Sequence, residues 1–344
     1  MPLTLLSLLD SSQPIFYIGI FDCLDVVDTM NLLATCHQIR ALKRQIYSVN
    51  ALLRPFFKDP VQFRQIMADN DLIVGGSMAL RLFSREEWAS NDIDVYTESH
   101  DAVPIVAAFL EKKGYRYQPY FWQSDSLSET LSRRDRVRPD GGRPPLPTLN
   151  PLVTDAYHYG LEQIKDIYMF VQKGTNKKIE VVLTRGSVLQ LIMSYYATFL
   201  MNFFTYRTAF SLFPWSTFCD KTGYYVPPQT GLGEKTLRGV RKYQDRGYFI
   251  ETVWQDSFLF KNCLRLRAVG DCYSWSMPLC TDGIVRPSKE ARLQGQRFSI
   301  TFKGARSFAS LETRRAISLT QKLEDNLKGA DHLTLKLDKS PRIV

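Results

Sequence analysis

Val74-Gly75-Gly76-Ser77 and, beyond the gap 78–91, Asp92-Ile93-Asp94-Val95 decide how this chain is read. In a strand, alternate side chains point the same way, so Ile93 and Val95 share one face while Asp92 and Asp94 share the other. Two carboxylates about 7 Å or less apart repel each other and need a reason to be there. A divalent cation between them supplies one. Downstream, Lys178-Ile179-Glu180-Val181-Val182-Leu183 carries a third carboxylate in the middle of a β-branched run. Strand propensity does not explain a Glu there unless the fold brings it beside the first two. Three acidic groups from two strands form an oxygen-rich site of the kind Mg²⁺ (or Mn²⁺) takes, with positions left for water and phosphate oxygens.

The glycines supply the other half of the pattern. Gly75 and Gly76 let the backbone approach a phosphate with no Cβ in the way, and Ser77 is placed to cap the following helix and to donate to a phosphate oxygen.

An apolar-Gly-Gly-Ser turn, an Asp-apolar-Asp-apolar strand and a distant apolar-Glu-apolar strand resemble the nucleotidyltransferase superfamily, which includes the beta-type DNA polymerases, poly(A) polymerases and antibiotic nucleotidyltransferases. The resemblance covers roughly residues 70–185. It implies that Gly75, Gly76 and Ser77 hold the phosphates of a nucleoside triphosphate, that Asp92 and Asp94 hold metal ions, and that Glu180 ligates metal and helps deprotonate an acceptor hydroxyl. Such a reaction is an in-line displacement at phosphorus, in which two metals about 4 Å apart stabilise the attacking and leaving oxygens. The bland alternative is a solvent-facing edge strand with Ser77 as an ordinary N-cap.

Composition sets the outer limits. With 344 residues, 44% hydrophobic and 12% aromatic, the chain can build a packed core of one or two domains and is not a disordered protein. Its net charge of +9 suits polyanionic partners such as triphosphates or nucleic acid. Cys23, Cys36, Cys219, Cys263, Cys272 and Cys280 include no Cys-x-x-Cys pair, which argues against zinc and for reduced thiols in an intracellular protein, cytoplasmic or nuclear. The opening MPLTLLSLLD has no basic segment and meets Asp10 early, so a secretory signal is not expected. None of His37, His100, His158 and His332 has a partner that suggests catalysis.

Residues 187–206 are uncharged for about the length of a bilayer span. Gln190, Ser194, Thr198 and Asn202 recur every fourth residue beside Leu189, Ile192, Met193, Tyr196, Leu200, Met201 and Phe204. This predicts a buried amphipathic helix rather than a membrane span, with a polar stripe that either lines the cleft or bonds its own backbone.

Outward from these motifs, residues 24–44 show helical spacing of Leu24, Val27, Met30, Leu33 and Cys36, and with residues 15–21 they weakly resemble an F-box. That resemblance implies docking of residues 12–50 on the adaptor of a cullin-type ubiquitin ligase; a plain helical cap has the same spacing. Helices are predicted over 61–70, 78–85 and 103–113, strands over 71–74 and 91–97, and a hairpin over 164–184 turning at 173–177. The polar, arginine-rich stretch 123–150 reads as a flexible insert. Residues 234–246 form a basic helix, read as a solvated face rather than a phosphate reader, and the tail beyond 335 as frayed.

The chain is therefore expected to be α/β (α+β): a nucleotidyltransferase-like mixed sheet with flanking helices over 59–208, an F-box-like helical segment over 1–58, and a helical, partly irregular region over 209–344. The expected function is Mg²⁺-dependent transfer of a nucleoside monophosphate from a nucleoside triphosphate to an acceptor hydroxyl. The alternative is a non-catalytic adaptor or interaction protein built on a degenerate form of that fold.

Overall fold

The computed structural model describes residues 19–88, 91–135, 163–226, 234–251, 267–288, 293, 295–302 and 309–314. Along the chain the strands are β1 (Ile73–Gly75), β2 (Asp92–Thr97), β3 (Tyr115–Gln118), β4 (Ile164–Gln172), β5 (Lys178–Thr184), β6 (Asn202–Phe204) and β7 (Thr208–Ser211). They continue with β8 (Thr222–Tyr224), β9 (Phe249–Glu251), β10 (Arg267–Ala268), β11 (Trp275–Pro278), β12 (Arg297–Phe302) and β13 (Ala309–Arg314). Among the described residues the main sheet has eight strands in the order β11-β7-β6-β1-β2-β5-β4-β3. It is mixed, because β2 and β5 run parallel while their outer neighbours pair antiparallel. The expected α/β class with a mixed sheet and flanking helices is what the chain forms.

Local chemistry explains the elements that position the cleft. The helix Pro60–Asp69 starts where the Asp59 carboxylate accepts from the Val61 amide at 3.1 Å and Pro60 fills the first turn. It buries Phe63, Arg64 and Met67 and feeds β1. The helix Ala102–Lys112 buries Val103, Val106 and Leu110 at helical spacing, and Gly114 follows it at φ +87°. The β4–β5 hairpin forms as expected around Gly174 at φ +77° and pairs Met169 with Glu180.

One hydrophobic core runs from Phe21 to Phe298. Arg64, 1% exposed, ties distant parts of it together. Its guanidinium donates to Asn50 Oδ1 at 2.9 Å, to the Cys280 carbonyl at 2.6 Å and to the Tyr206 carbonyl. Burial pulls its pKa down to about 10, yet it stays cationic at neutral pH.

Three expectations need correction. Residues 187–206 are not one helix: a short helix Val188–Met193 is followed by a 3₁₀ turn Thr198–Leu200 and then β6. The four-residue polar spacing belongs to breaks in structure rather than to a stripe. Ser187 Oγ accepts from the Leu189 amide, Ser194 Oγ donates to the Leu191 carbonyl, Asn202 Nδ2 donates to the Phe199 carbonyl and Thr198 Oγ1 accepts from the Tyr224 amide. No helix among the described residues is long and apolar enough to cross a membrane.

The stretch 123–150 is not wholly loose either. Gln123 donates to Asp166 Oδ1 at 3.1 Å and to the Ile167 carbonyl at 2.8 Å, and a helix covers Leu127–Asp135 with Thr130 buried. The rest of that stretch, and the tail expected to fray, lie outside the described residues.

Third, residues 24–44 break into helices Val26–Thr35, His37–Ala41 and the start of Lys43–Ile46. The buried face is Val26, Thr29, Met30 and Leu33, a slightly rotated version of the expected one. Arg85 locks this segment to the core by donating to the Phe21 and Leu24 carbonyls and to Thr29 Oγ1. Part of the F-box-like stretch, residues 12–18, lies outside the described residues.

Candidate active site

The floor of the site is a consequence of register. Parallel pairing sets Asp92 against Lys178 and Asp94 against Glu180. Cross-strand partners project from the same face, so these four side chains stand together while Ile93, Val95, Ile179 and Val181 go to the other face, each fully buried. Tyr96, Val182 and Ile167 continue the site face, and all of these groups line one cleft of about 320 Å³.

The turn Val74-Gly75-Gly76-Ser77 forms the cleft's end. Gly76 sits at φ +62°, and a Cβ there would lie 3.1 Å from Asp94 Oδ2; at Gly75 a Cβ would lie 2.9 Å from the Tyr96 ring. The backbone therefore passes close to both side chains, and only glycine allows it. The helix Gly76–Ser84 begins at this point, so its N-terminal end lies in the wall of the cleft. Its N-cap is Gly75 and no side chain caps it, so Ser77 is inside the first turn rather than at the expected capping position. Gly76 and Ser77 both line the cleft.

Glu180 has two close neighbours. Lys178 Nζ lies 3.2 Å from its Oε1, and the Tyr120 hydroxyl donates to the same oxygen at 3.5 Å. Burial alone would lower the Lys178 pKa, but Glu180, Asp92 and Asp94 together outweigh it and hold the ammonium above the ordinary lysine value. The Tyr96 and Tyr195 hydroxyls hydrogen-bond beneath the carboxylates. Burial first, then the negative charge of Asp94 and the adjoining Tyr195, pushes the Tyr96 phenol well above its usual range, so it stays neutral.

Facing the carboxylates is the helix Glu234–Gln244, from which Arg238, Gly239, Lys242 and Tyr243 line the same cleft. Burial lowers the Lys242 pKa, opposed by attraction from Asp92 and Asp94. The sequence alone reads this wall as a solvated face. The signal that distinguishes it is the spacing of Arg238 and Lys242, one helical turn apart on one stripe. The expected polar stripe does not line the cleft; Leu191, Tyr195, Tyr196 and Leu200 do.

Among the described residues no three His, Cys, Asp or Glu side chains are grouped so as to hold a metal ion by themselves. The carboxylate oxygens of Asp92 and Asp94 remain a donor pair of the hard kind that Mg²⁺ accepts when phosphate oxygens complete its shell. Chemically, the cleft offers negative charge on its floor, backbone amides at one end and positive charge on the opposite wall.

No known protein-family model matches the chain, and no curated protein sequence does. Among solved structures, a CCA-adding enzyme in complex with CTP matches it at 9% sequence identity and a TM-score of 0.33. The match covers 67% of this chain and 44% of that one, so the chain corresponds to less than half of the enzyme.

Proposed function

We propose that the cleft binds a nucleoside triphosphate with Mg²⁺ and transfers its nucleoside monophosphate to an acceptor hydroxyl, the acceptor oxygen bonding to the α-phosphorus as the α–β anhydride bond breaks and pyrophosphate leaves, with residues 59–208 as the nucleotidyltransferase-like unit. The observation that carries this reading is the in-register face of Asp92, Asp94 and Glu180 beside the Gly75-Gly76-Ser77 turn. Amides of that turn and the Ser77 hydroxyl hold the phosphates, and the positive wall of Arg238 and Lys242 draws the polyanion in. Asp92 and Asp94 hold the metal. When bound, Mg²⁺ neutralises charge on the transferring phosphate and lowers the pKa of the acceptor hydroxyl. Glu180 takes the acceptor proton, and Tyr120 orients its carboxylate.

The alternative is an adaptor without turnover, docking through residues 12–50 on a ubiquitin-ligase adaptor. The Lys178–Glu180 ion pair favours it, because a carboxylate already satisfied by an ammonium is a poorer ligand and base. Calorimetric titration of ATP into the full chain, with Mg²⁺ and with chelator, separates the two. Saturable binding strengthened by Mg²⁺ supports the enzyme; no binding in either condition removes it.

A further inference from the structure

We propose that Lys178 is a resident cation of this cleft and restricts it to one divalent ion, the one that arrives with the nucleotide on Asp92 and Asp94. The inference rests on the nucleotide-binding reading above and departs from the two-ion arrangement that three carboxylates suggest. Lys178 stands against Asp92 as Glu180 stands against Asp94, so its ammonium projects from the same face as all three acids. Its Nζ is 3.2 Å from Glu180 Oε1, the oxygen that also accepts from Tyr120. An oxygen engaged by an ammonium and a phenol has little lone-pair capacity left, so a metal at Glu180 would have to use Oε2, within reach of the Lys178 charge. Lys242 adds a second ammonium from the opposite wall of the same cleft.

Charge then decides the stoichiometry. Three carboxylates share the cleft with the ammonium groups of Lys178 and Lys242 and the guanidinium of Arg238, so it carries little net negative charge before any ion arrives. One divalent ion accompanied by a triphosphate is compatible with that balance. A second ion against Glu180 would lie beside the Lys178 ammonium, a like-charge contact inside a partly desolvated cleft. The Lys178 side chain is 39% exposed, so the cation is held by charge and not by packing, and its removal leaves the core untouched.

The test counts ions on the full chain. Mn²⁺ is titrated into the protein with a non-hydrolysable ATP analogue, and free Mn²⁺ is read by electron paramagnetic resonance. The wild type is expected to take one ion. Lys178→Met is expected to take a second, or to bind the first at least tenfold more tightly, while Lys178→Arg keeps the charge and follows the wild type. Two ions on the wild type overturn the proposal. So does a Lys178→Met protein that matches the wild type in stoichiometry and affinity, including the case where neither binds. If Lys178→Met does not fold, as judged by circular dichroism, the wild-type count decides alone. Asp94→Asn checks the underlying reading separately: an ion retained in that variant is not on the aspartates, whatever Lys178 does.

Discussion

The two walls of the cleft are built on different periodicities. The acidic wall lies on β2 and β5, where a period of two sets Asp92, Asp94, Lys178 and Glu180 on one face of an otherwise apolar sheet. The basic wall lies on the helix Glu234–Gln244, where one turn separates Arg238 from Lys242. Carboxylates on a buried strand are an anomaly that asks for a function, whereas cations on an exposed helix are what any solvated helix carries. Charge thus reveals a site only where the surroundings make it expensive.

Asp94→Asn gives the largest expected effect if the acidic wall holds a metal. It should erase the Mg²⁺-dependent part of ATP affinity, a loss of about 100-fold or more, the scale of removing an ionised partner. Titration calorimetry reads it directly, and an unchanged Mg²⁺ dependence would remove Asp94 from the site.

Next is the turn at the end of the cleft. Gly76→Ala forces an L-residue to φ +62° and brings its Cβ to 3.1 Å from Asp94 Oδ2, at a cost of about 2 kcal/mol. Gly114→Ala is the matched control, because at φ +87° nothing lies within 4 Å of its Cβ. The excess loss of stability at Gly76, measured by denaturant unfolding, isolates the close approach; equal losses would mean that Asp94 moves aside freely.

A smaller change is expected on the basic wall. Lys242→Ala should weaken ATP binding about tenfold, one charge-assisted contact of about 1.4 kcal/mol. If this wall meets phosphate directly, the loss should be the same in Mg²⁺ and in chelator. An affinity that does not move returns the helix to its plain role as a solvated face.

The smallest effect sharpens the contrast. Two bare aspartates side by side would make Asp94→Asn stabilising in chelator. Here Lys178 and Lys242 offset that repulsion, so unfolding stability without metal should stay within about 0.5 kcal/mol of the wild type. A gain well beyond this would show the aspartates to be uncompensated.

Legibility followed the same physical line. The Pro60–Asp69 helix, the β4–β5 hairpin and the strand after the glycine turn were readable because local signals coincide there: Asp59 with Pro60, Gly174 in a polar turn, and alternation through 92–97. Residues 187–206 were not, because the four-residue polar spacing from Gln190 suits a helix, yet Ser194, Thr198 and Asn202 in it have separate local and tertiary roles. Lys178 was passed over as the start of a strand. Only the pairing with β2 reveals that it shares a face with Asp92, and long-range register is not written in the local sequence.

The Arg64 hub gives the molecule a timetable. Its guanidinium needs carbonyls 142 and 216 residues further along the chain. At about 5–20 residues per second, a ribosome delivers Cys280 roughly 10–40 s after Arg64 has been made. During that interval the nascent chain carries a guanidinium that has Asn50 but not yet its full set of carbonyl acceptors, and a sheet whose β7 edge still lacks β11. The last acceptor of Arg64 and the strand that covers the β7 edge therefore arrive together, on the single late stretch from Trp275 to Cys280.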